Sequence, residues 1–151
     1  YFKKKGGGRM ELQLHTGDIG NYLKNHDIKP SYQRMKIFQY LLDNHVHPTV
    51  DTIYKALCPE IPTLSKTTVY NTLNLFVEKK LVQVIVIEEN ETRYDLITHT
   101  HGHFKCNCCG TLFDVELNID YSMSPELADC KIDEKHIYFK GLCKNCKGKQ
   151  N

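Results

Sequence analysis

Apolar residues recur at helical spacing through the first half of the chain and then give way to short alternating runs. Ile19, Tyr22 and Leu23 mark one face of a short first helix. Ser31 caps a second helix, on which Met35, Phe38, Leu41 and Leu42 face inward. His45-Val46-His47-Pro48 is a connection. Thr49 caps a third helix, with Val50, Ile53, Tyr54 and Leu57 at i, i+3, i+4 and i+7. Pro59 and Pro62 bracket a loop. Ser65 caps a fourth helix, whose buried face is Val69, Leu73, Phe76 and Val77. Leu81 to Ile87 is β-branched and apolar, Glu89-Asn90-Glu91 is a turn, and Thr92 to Ile97 returns as a second strand. Several helices followed by a hairpin is the order of a winged helix-turn-helix.

Near Thr98 the texture changes to Cys/His-rich segments with short strands at Phe104 to Cys106, Thr111 to Leu117 and Lys135 to Leu142. Ser124 to Asp129 reads as a short helix, capped by Ser124 with Pro125 at its first position. The organisation predicted is α+β. Residues 1–9 are a leader set apart from the fold, 10–97 a winged-helix domain ending in a hinge, and 98–151 a small α/β module. Such a module has little core of its own and needs a staple.

Charge changes the picture once the leader is set aside. The whole chain carries +2, but residues 1–9 hold three Lys and one Arg, so residues 10–151 are net −2. Net charge is therefore no argument for nucleic-acid binding, which must rest on local pattern. No apolar run is long enough to span a bilayer, and no secretory signal pattern is present. Seven cysteines in partly paired spacing favour metal binding in a reducing compartment over a disulfide scaffold, so the sequence predicts a cytoplasmic protein.

Two C-x-x-C pairs, Cys106/Cys109 and Cys143/Cys146, carry the clearest chemistry. Each spacing lets two thiolates on one tight turn meet one metal ion, and two such turns complete a four-thiolate zinc site. Gly110 permits the turn. A thioredoxin-like redox motif needs a strand-to-helix context that is missing here. Catalytic thiol chemistry would also need an exposed low-pKa thiolate, so no enzyme is predicted. Cys108 lies between ligands and is predicted to point away, while Cys58 and Cys130 read as packed small hydrophobes.

A second cluster has nitrogen and oxygen donors only: Asp95, His101, His103 and Asp114, with His47 from the connection before the third helix. His101 and His103 are two apart and share one side of a strand. Surface histidines and solvated carboxylates are the plainer alternative, and His99 and His136 stand by as substitutes. On the fourth helix, Lys66, Thr67, Tyr70, Asn71 and Asn74 lie away from the buried face. They combine a phosphate-seeking cation with groups able to reach base edges.

These segments together resemble the ferric uptake regulator family of bacterial metal-dependent repressors, most closely its peroxide-sensing (PerR) subfamily. The resemblance runs from about Tyr22 to Cys146. It is carried by Tyr32-Gln33-Arg34, His47-Pro48-Thr49, Leu64 to Tyr70, Arg93-Tyr94-Asp95, His101-Gly102-His103 and the two cysteine pairs. It implies a homodimer on double-stranded operator DNA, with a C-terminal dimerisation domain. It implies structural Zn2+ at Cys106, Cys109, Cys143 and Cys146. It also implies a regulatory Fe2+ or Mn2+ at His47, Asp95, His101, His103 and Asp114. Asp at 114, where iron-uptake regulators carry Glu, and Asn71 after Tyr70 are similar to the peroxide sensors. In that subfamily iron and peroxide oxidise a ligand histidine, which implies His101 or His47 here. The alternative within the family is an iron, manganese or zinc uptake regulator without peroxide sensing. Two departures stand out: Thr100 replaces an acidic residue before His101, and the segment between Asp114 and Cys143 is short for a dimerisation helix.

Overall fold

The computed structural model describes residues 2–4, 10–12, 18–88, 91–97, 101–117 and 124–148. The chain forms two compact units, residues 1–99 and 100–151.

Among the described residues of the first unit, four helices precede a hairpin. They are α1 (Ile19–Lys24), α2 (Tyr32–Asp43), α3 (Val50–Leu57) and α4 (Lys66–Glu78). Short strands β1 (Phe2–Lys4) and β2 (Met10–Leu12) pair antiparallel ahead of them, so part of the presumed leader adopts backbone structure. The starts of α2, α3 and α4 follow from local chemistry. Ser31, Thr49 and Ser65 are extended, and each side-chain oxygen accepts from the amide three residues on, at 3.3, 3.1 and 3.0 Å. Each bond satisfies a donor that the helix leaves free. The end of α4 is less obvious. Lys80 takes a left-handed φ of 56°, and the Leu81 amide bonds back to the Phe76 carbonyl at 2.9 Å. This is a Schellman-type stop made without glycine.

The helices bury one continuous core. Ile19, Leu23, Ile37, Phe38, Ile53, Val69, Leu73 and Phe76 are fully buried, and Leu81, Val82, Tyr94 and Leu96 from the hairpin close it. Phe38 meets Phe76 edge to face at 5.5 Å. The hairpin strands β3 (Val82–Glu88) and β4 (Glu91–Leu96) pair antiparallel, with Gln83 opposite Asp95, Val84 opposite Tyr94 and Ile85 opposite Arg93. The predicted turn residues Glu89 and Asn90 lie outside the described residues.

The second unit is a three-stranded sheet in the order β6 (Leu112–Glu116), β5 (His101–Cys106), β7 (Tyr138–Gly141). The β5–β6 pair is antiparallel and β5–β7 is parallel. Its only buried apolar side chains among the described residues are those of Cys106 and Cys146. The helix expected at Ser124 to Asp129 is a single 3-10 turn, Pro125–Leu127. The predicted cap is absent, because the Ser124 hydroxyl donates to the Glu126 carboxylate at 2.6 Å instead of accepting from the backbone. α5 (Lys144–Lys147) follows β7.

Candidate functional site

The cysteine cluster is built by two turns at the same end of the sheet. After β5 the chain reverses tightly: the Gly110 amide bonds to the Cys106 carbonyl and the Cys106 amide to the Thr111 carbonyl, both at 3.0 Å. Gly110 sits at φ 71°, a left-handed conformation that an L side chain resists. Cys143 begins α5, whose Cys146 amide bonds to the Cys143 carbonyl at 3.0 Å. The parallel pairing of Cys106 with Gly141 brings the turns together, and the Asn107 amide seals them on the Gly141 carbonyl at 2.7 Å.

The sulfurs of Cys106, Cys109, Cys143 and Cys146 lie within 4.8 Å of one another. Cys109 Sγ and Cys143 Sγ are 3.8 Å apart. Four thiolates at zinc–sulfur distances of about 2.3 Å sit about 3.8 Å apart around a tetrahedral ion, so the donor set fits Zn2+. Local groups favour thiolate at two positions. Backbone amides of Cys109 and Cys143 hold the Cys106 thiol down to about 6, the latter donating at 3.3 Å. The Thr111 hydroxyl, 3.2 Å from Cys109 Sγ, lowers that thiol too. Cys146 is pushed up by the thiols of Cys143, Cys108 and Cys109 and by burial. Cys108, between Cys106 and Cys109 in the sequence, is exposed and is not one of the four clustered sulfurs. Cys130 is exposed and bonds the Glu126 carbonyl at 3.6 Å, and Cys58 is half-buried, so Cys130 is not the packed hydrophobe expected.

On the same sheet, His101 and His103 share one side of β5, their rings 4.7 Å apart, and both are buried. Asp114 stands directly opposite His103 on β6. Its Oδ1 is 3.7 Å from His101 Nε2 and 3.8 Å from His103 Nε2. These spacings are too long for hydrogen bonds. Two donors each about 2.1 Å from one ion sit roughly 3 to 4.2 Å apart, and these pairs fall in that range. Two imidazoles and one carboxylate on one face form the donor set typical of non-haem Fe2+ sites.

The first unit holds a His/Asp pair of its own. His47 Nε2 is 3.8 Å from Asp95 Oδ1, with His47 buried and Asp95 half-buried. The Gln83 amide donates to Asp95 Oδ2 at 2.9 Å and fixes the carboxylate. His136, the stand-by ligand, is exposed and bonds Glu134 at 3.2 Å and the Tyr138 hydroxyl at 3.4 Å. His99 lies outside the described residues.

On α4, Lys66, Thr67, Tyr70, Asn71 and Asn74 are all exposed and form one face, opposite buried Val69, Leu73 and Phe76. Sequence reasoning missed Asp51. This carboxylate on α3 pairs with both Lys66 and Lys55, the latter at 2.6 Å. The two lysines hold its pKa low, at about 2. The Lys55 contact is readable as an i, i+4 pair, but the Lys66 contact is tertiary.

The sequence pattern of the ferric uptake regulator family matches residues 25–140. This chain belongs to that family. Among its relatives, the peroxide-responsive repressor PerR of Staphylococcus saprophyticus is 32% identical over 143 residues, covering 93% of this chain and 95% of its own length. The PerR of Staphylococcus aureus (strain Mu50) is 33% identical over 130 residues, covering 84% and 88%. The ferric uptake regulator of Vibrio cholerae shares the fold at a TM-score of 0.67 and 25% identity, over 82% of this chain and 98% of its own. That of Helicobacter pylori reaches 0.70 at 18% identity, over 94% and 100%. Family membership makes this chain a regulator, with the winged-helix order in its first unit and the four-cysteine cluster in its second. No helix among the described residues is long and apolar enough to cross a membrane.

Proposed function

We propose that this chain is a cytoplasmic, metal-dependent repressor that binds double-stranded operator DNA as a homodimer and releases it on exposure to peroxide. The observation that carries the reading is the placing of His101, His103 and Asp114 on one sheet face, a two-imidazole, one-carboxylate set suited to Fe2+. The likeness to peroxide-responsive repressors at 32–33% identity supports it. His47 and Asp95 complete the ligand set that the family resemblance implies, and Cys106, Cys109, Cys143 and Cys146 hold Zn2+.

Fe2+, when bound, would supply redox catalysis of oxygen–oxygen cleavage in peroxide, the two electrons coming in the end from the ring that is oxidised. The chain supplies the group that is consumed. One oxygen atom of peroxide would be inserted at a ring C–H of His101 or His47, that hydrogen staying on the oxidised ring, and the second oxygen would leave as water. The oxidised ring is a poorer ligand, so the ion is lost and the repressor opens. Asp114 is one methylene shorter than Glu and sets how closely the carboxylate approaches.

The test uses DNA duplexes selected by the Mn2+-loaded protein from a random pool. Fluorescence anisotropy should show loss of binding by the Fe2+-loaded protein at low peroxide, with one oxygen added to a histidine peptide by mass spectrometry. The Mn2+-loaded protein should keep its DNA, and Asp114→Glu should bind DNA with either metal but resist peroxide. Equal peroxide resistance of the Fe2+ and Mn2+ forms would leave an uptake regulator in its place.

DNA contact on this reading runs through the exposed face of α4, with Lys66 at a phosphate. Asp51 neutralises Lys66 in the free protein and must be displaced. Lys66→Ala should therefore lower the salt slope of DNA binding by about 0.9. Asp51→Asn should strengthen binding to all sequences by up to about fivefold, the measure of a surface ion pair. A change in sequence preference with an unaltered salt slope for Lys66→Ala would show that Lys66 reads bases.

A further inference from the structure

His47 is held in a conformation that its own sequence disfavours. Its φ is 50°, in the left-handed region, and it precedes Pro48, which pushes the residue before it toward extended backbone. Its imidazole is nonetheless buried and aimed at Asp95, 3.8 Å away. Such a conformation persists only where surrounding contacts over-determine it.

The contacts come from β4, 46 residues further along the chain. Arg93 Nη1 donates to the His47 carbonyl oxygen at 3.2 Å. The Tyr94 amide donates to the Pro48 carbonyl at 3.0 Å. Arg93 is itself oriented by Glu91, its Nε at 2.9 Å and Nη2 at 2.6 Å from Oε2. The next residues along β4 are Tyr94, in the core, and Asp95, the carboxylate that His47 faces. Alternation along the strand puts Arg93 and Asp95 on the same side. One strand therefore presents both the group that fixes the backbone of His47 and the group that its ring meets.

The geometry points to Arg93 as a positioning residue for metal binding, oriented by Glu91 and acting through the backbone of His47. This rests on the reading of His47 as a ligand. Arg93 does not touch the ion. It holds the turn that aims the imidazole, as outer partners of ligands commonly do, with roughly 10- to 100-fold in affinity at stake. Arg is suited to the task because its fork serves the Glu91 carboxylate and the His47 carbonyl at once, which a lysine ammonium does less well.

The test is a Mn2+ titration of the full, zinc-loaded chain, with thermal melting of the same samples before Mn2+ is added. Arg93→Gln should weaken Mn2+ binding roughly tenfold or more and leave the melting temperature of the Mn2+-free protein nearly unchanged. His47→Ala should weaken it at least as much. In the His47→Ala background, Arg93→Gln should cost nothing further, because its effect passes through that one residue. Where Arg93→Gln lowers the melting temperature, Glu91→Gln replaces it. That variant should lose a smaller part of the affinity, and again nothing in the His47→Ala background. Weak binding by His47→Ala beside wild-type binding by Arg93→Gln would overturn the positioning role and leave the ligand reading standing. A full Arg93→Gln loss in the double variant would also overturn it. Wild-type binding by His47→Ala would remove the ligand reading itself.

Discussion

Cys109→Ser is expected to abolish the folded second unit. The described residues of that unit bury no Leu, Ile, Val or Phe; Phe113 and Phe139 are more than 40% exposed. Among the described residues its sheet has three strands, the longest His101–Cys106. So thin a core cannot by itself offset the backbone freedom lost on ordering the unit. Zinc bound by four thiolates contributes on the order of 10 to 16 kcal/mol to folding, because the site does not exist in the unfolded chain. Replacing one thiolate by a hydroxyl leaves three sulfurs around the ion and forfeits most of that. Zinc content by mass spectrometry should fall from one ion per chain towards none. Amide exchange across β5, β6 and β7 should become fast, and the proposed dimer should be lost. A zinc-free Cys109→Ser protein that stayed dimeric and kept those amides protected would show that packing alone holds the unit.

The second large effect is expected at Phe76. Its side chain is fully buried on α4, edge to face with Phe38 of α2, while the same helix exposes Lys66, Thr67, Tyr70, Asn71 and Asn74 on its other side. Truncation to Ala removes the ring and leaves a cavity in a close-packed core, at a cost of about 3 to 5 kcal/mol. A small domain holds only about 5 to 15 kcal/mol in all. Phe76→Ala should therefore shift the urea midpoint of the first unit strongly downward, followed by helical circular dichroism. The proposed recognition helix should lose its fixed orientation before it loses its helicity. Substitution of exposed Asn74 by Ala should leave the unfolding free energy within about 0.5 kcal/mol of wild type and the midpoint nearly unmoved. Near-equal midpoints for the two variants would mean that α4 is not seated on Phe38.

The division between what sequence and tertiary structure decide runs along the distance of the contacts. The starts of α2, α3 and α4 were readable because Ser31, Thr49 and Ser65 act on amides three residues away, and the apolar spacing behind them marks a face without reference to any partner. The cysteine pairs were readable for the same reason, since C-x-x-C places two sulfurs by one local turn. The strand bounds were less so. Phe104 to Cys106 grew to His101–Cys106 because antiparallel pairing reaches back to Glu116. Lys135 to Leu142 shrank to Tyr138–Gly141, because its parallel ladder to β5 runs only from His103 to Cys106. At Ser124 the cap signal lost to a neighbouring carboxylate, and at Lys80 a helix ended left-handed with no glycine to announce it.

The candidate site divides in the same way. Residue types and spacing named the donors His47, Asp95, His101, His103 and Asp114 through resemblance. Only strand register set Asp114 against His103, and only the fold brought Arg93 to the carbonyl of His47 and Asp51 to Lys66. A side chain's chemistry and its near neighbours are written in the order of residues. Which distant backbone it will hold depends on how helices and strands pack, and no local pattern carries that information.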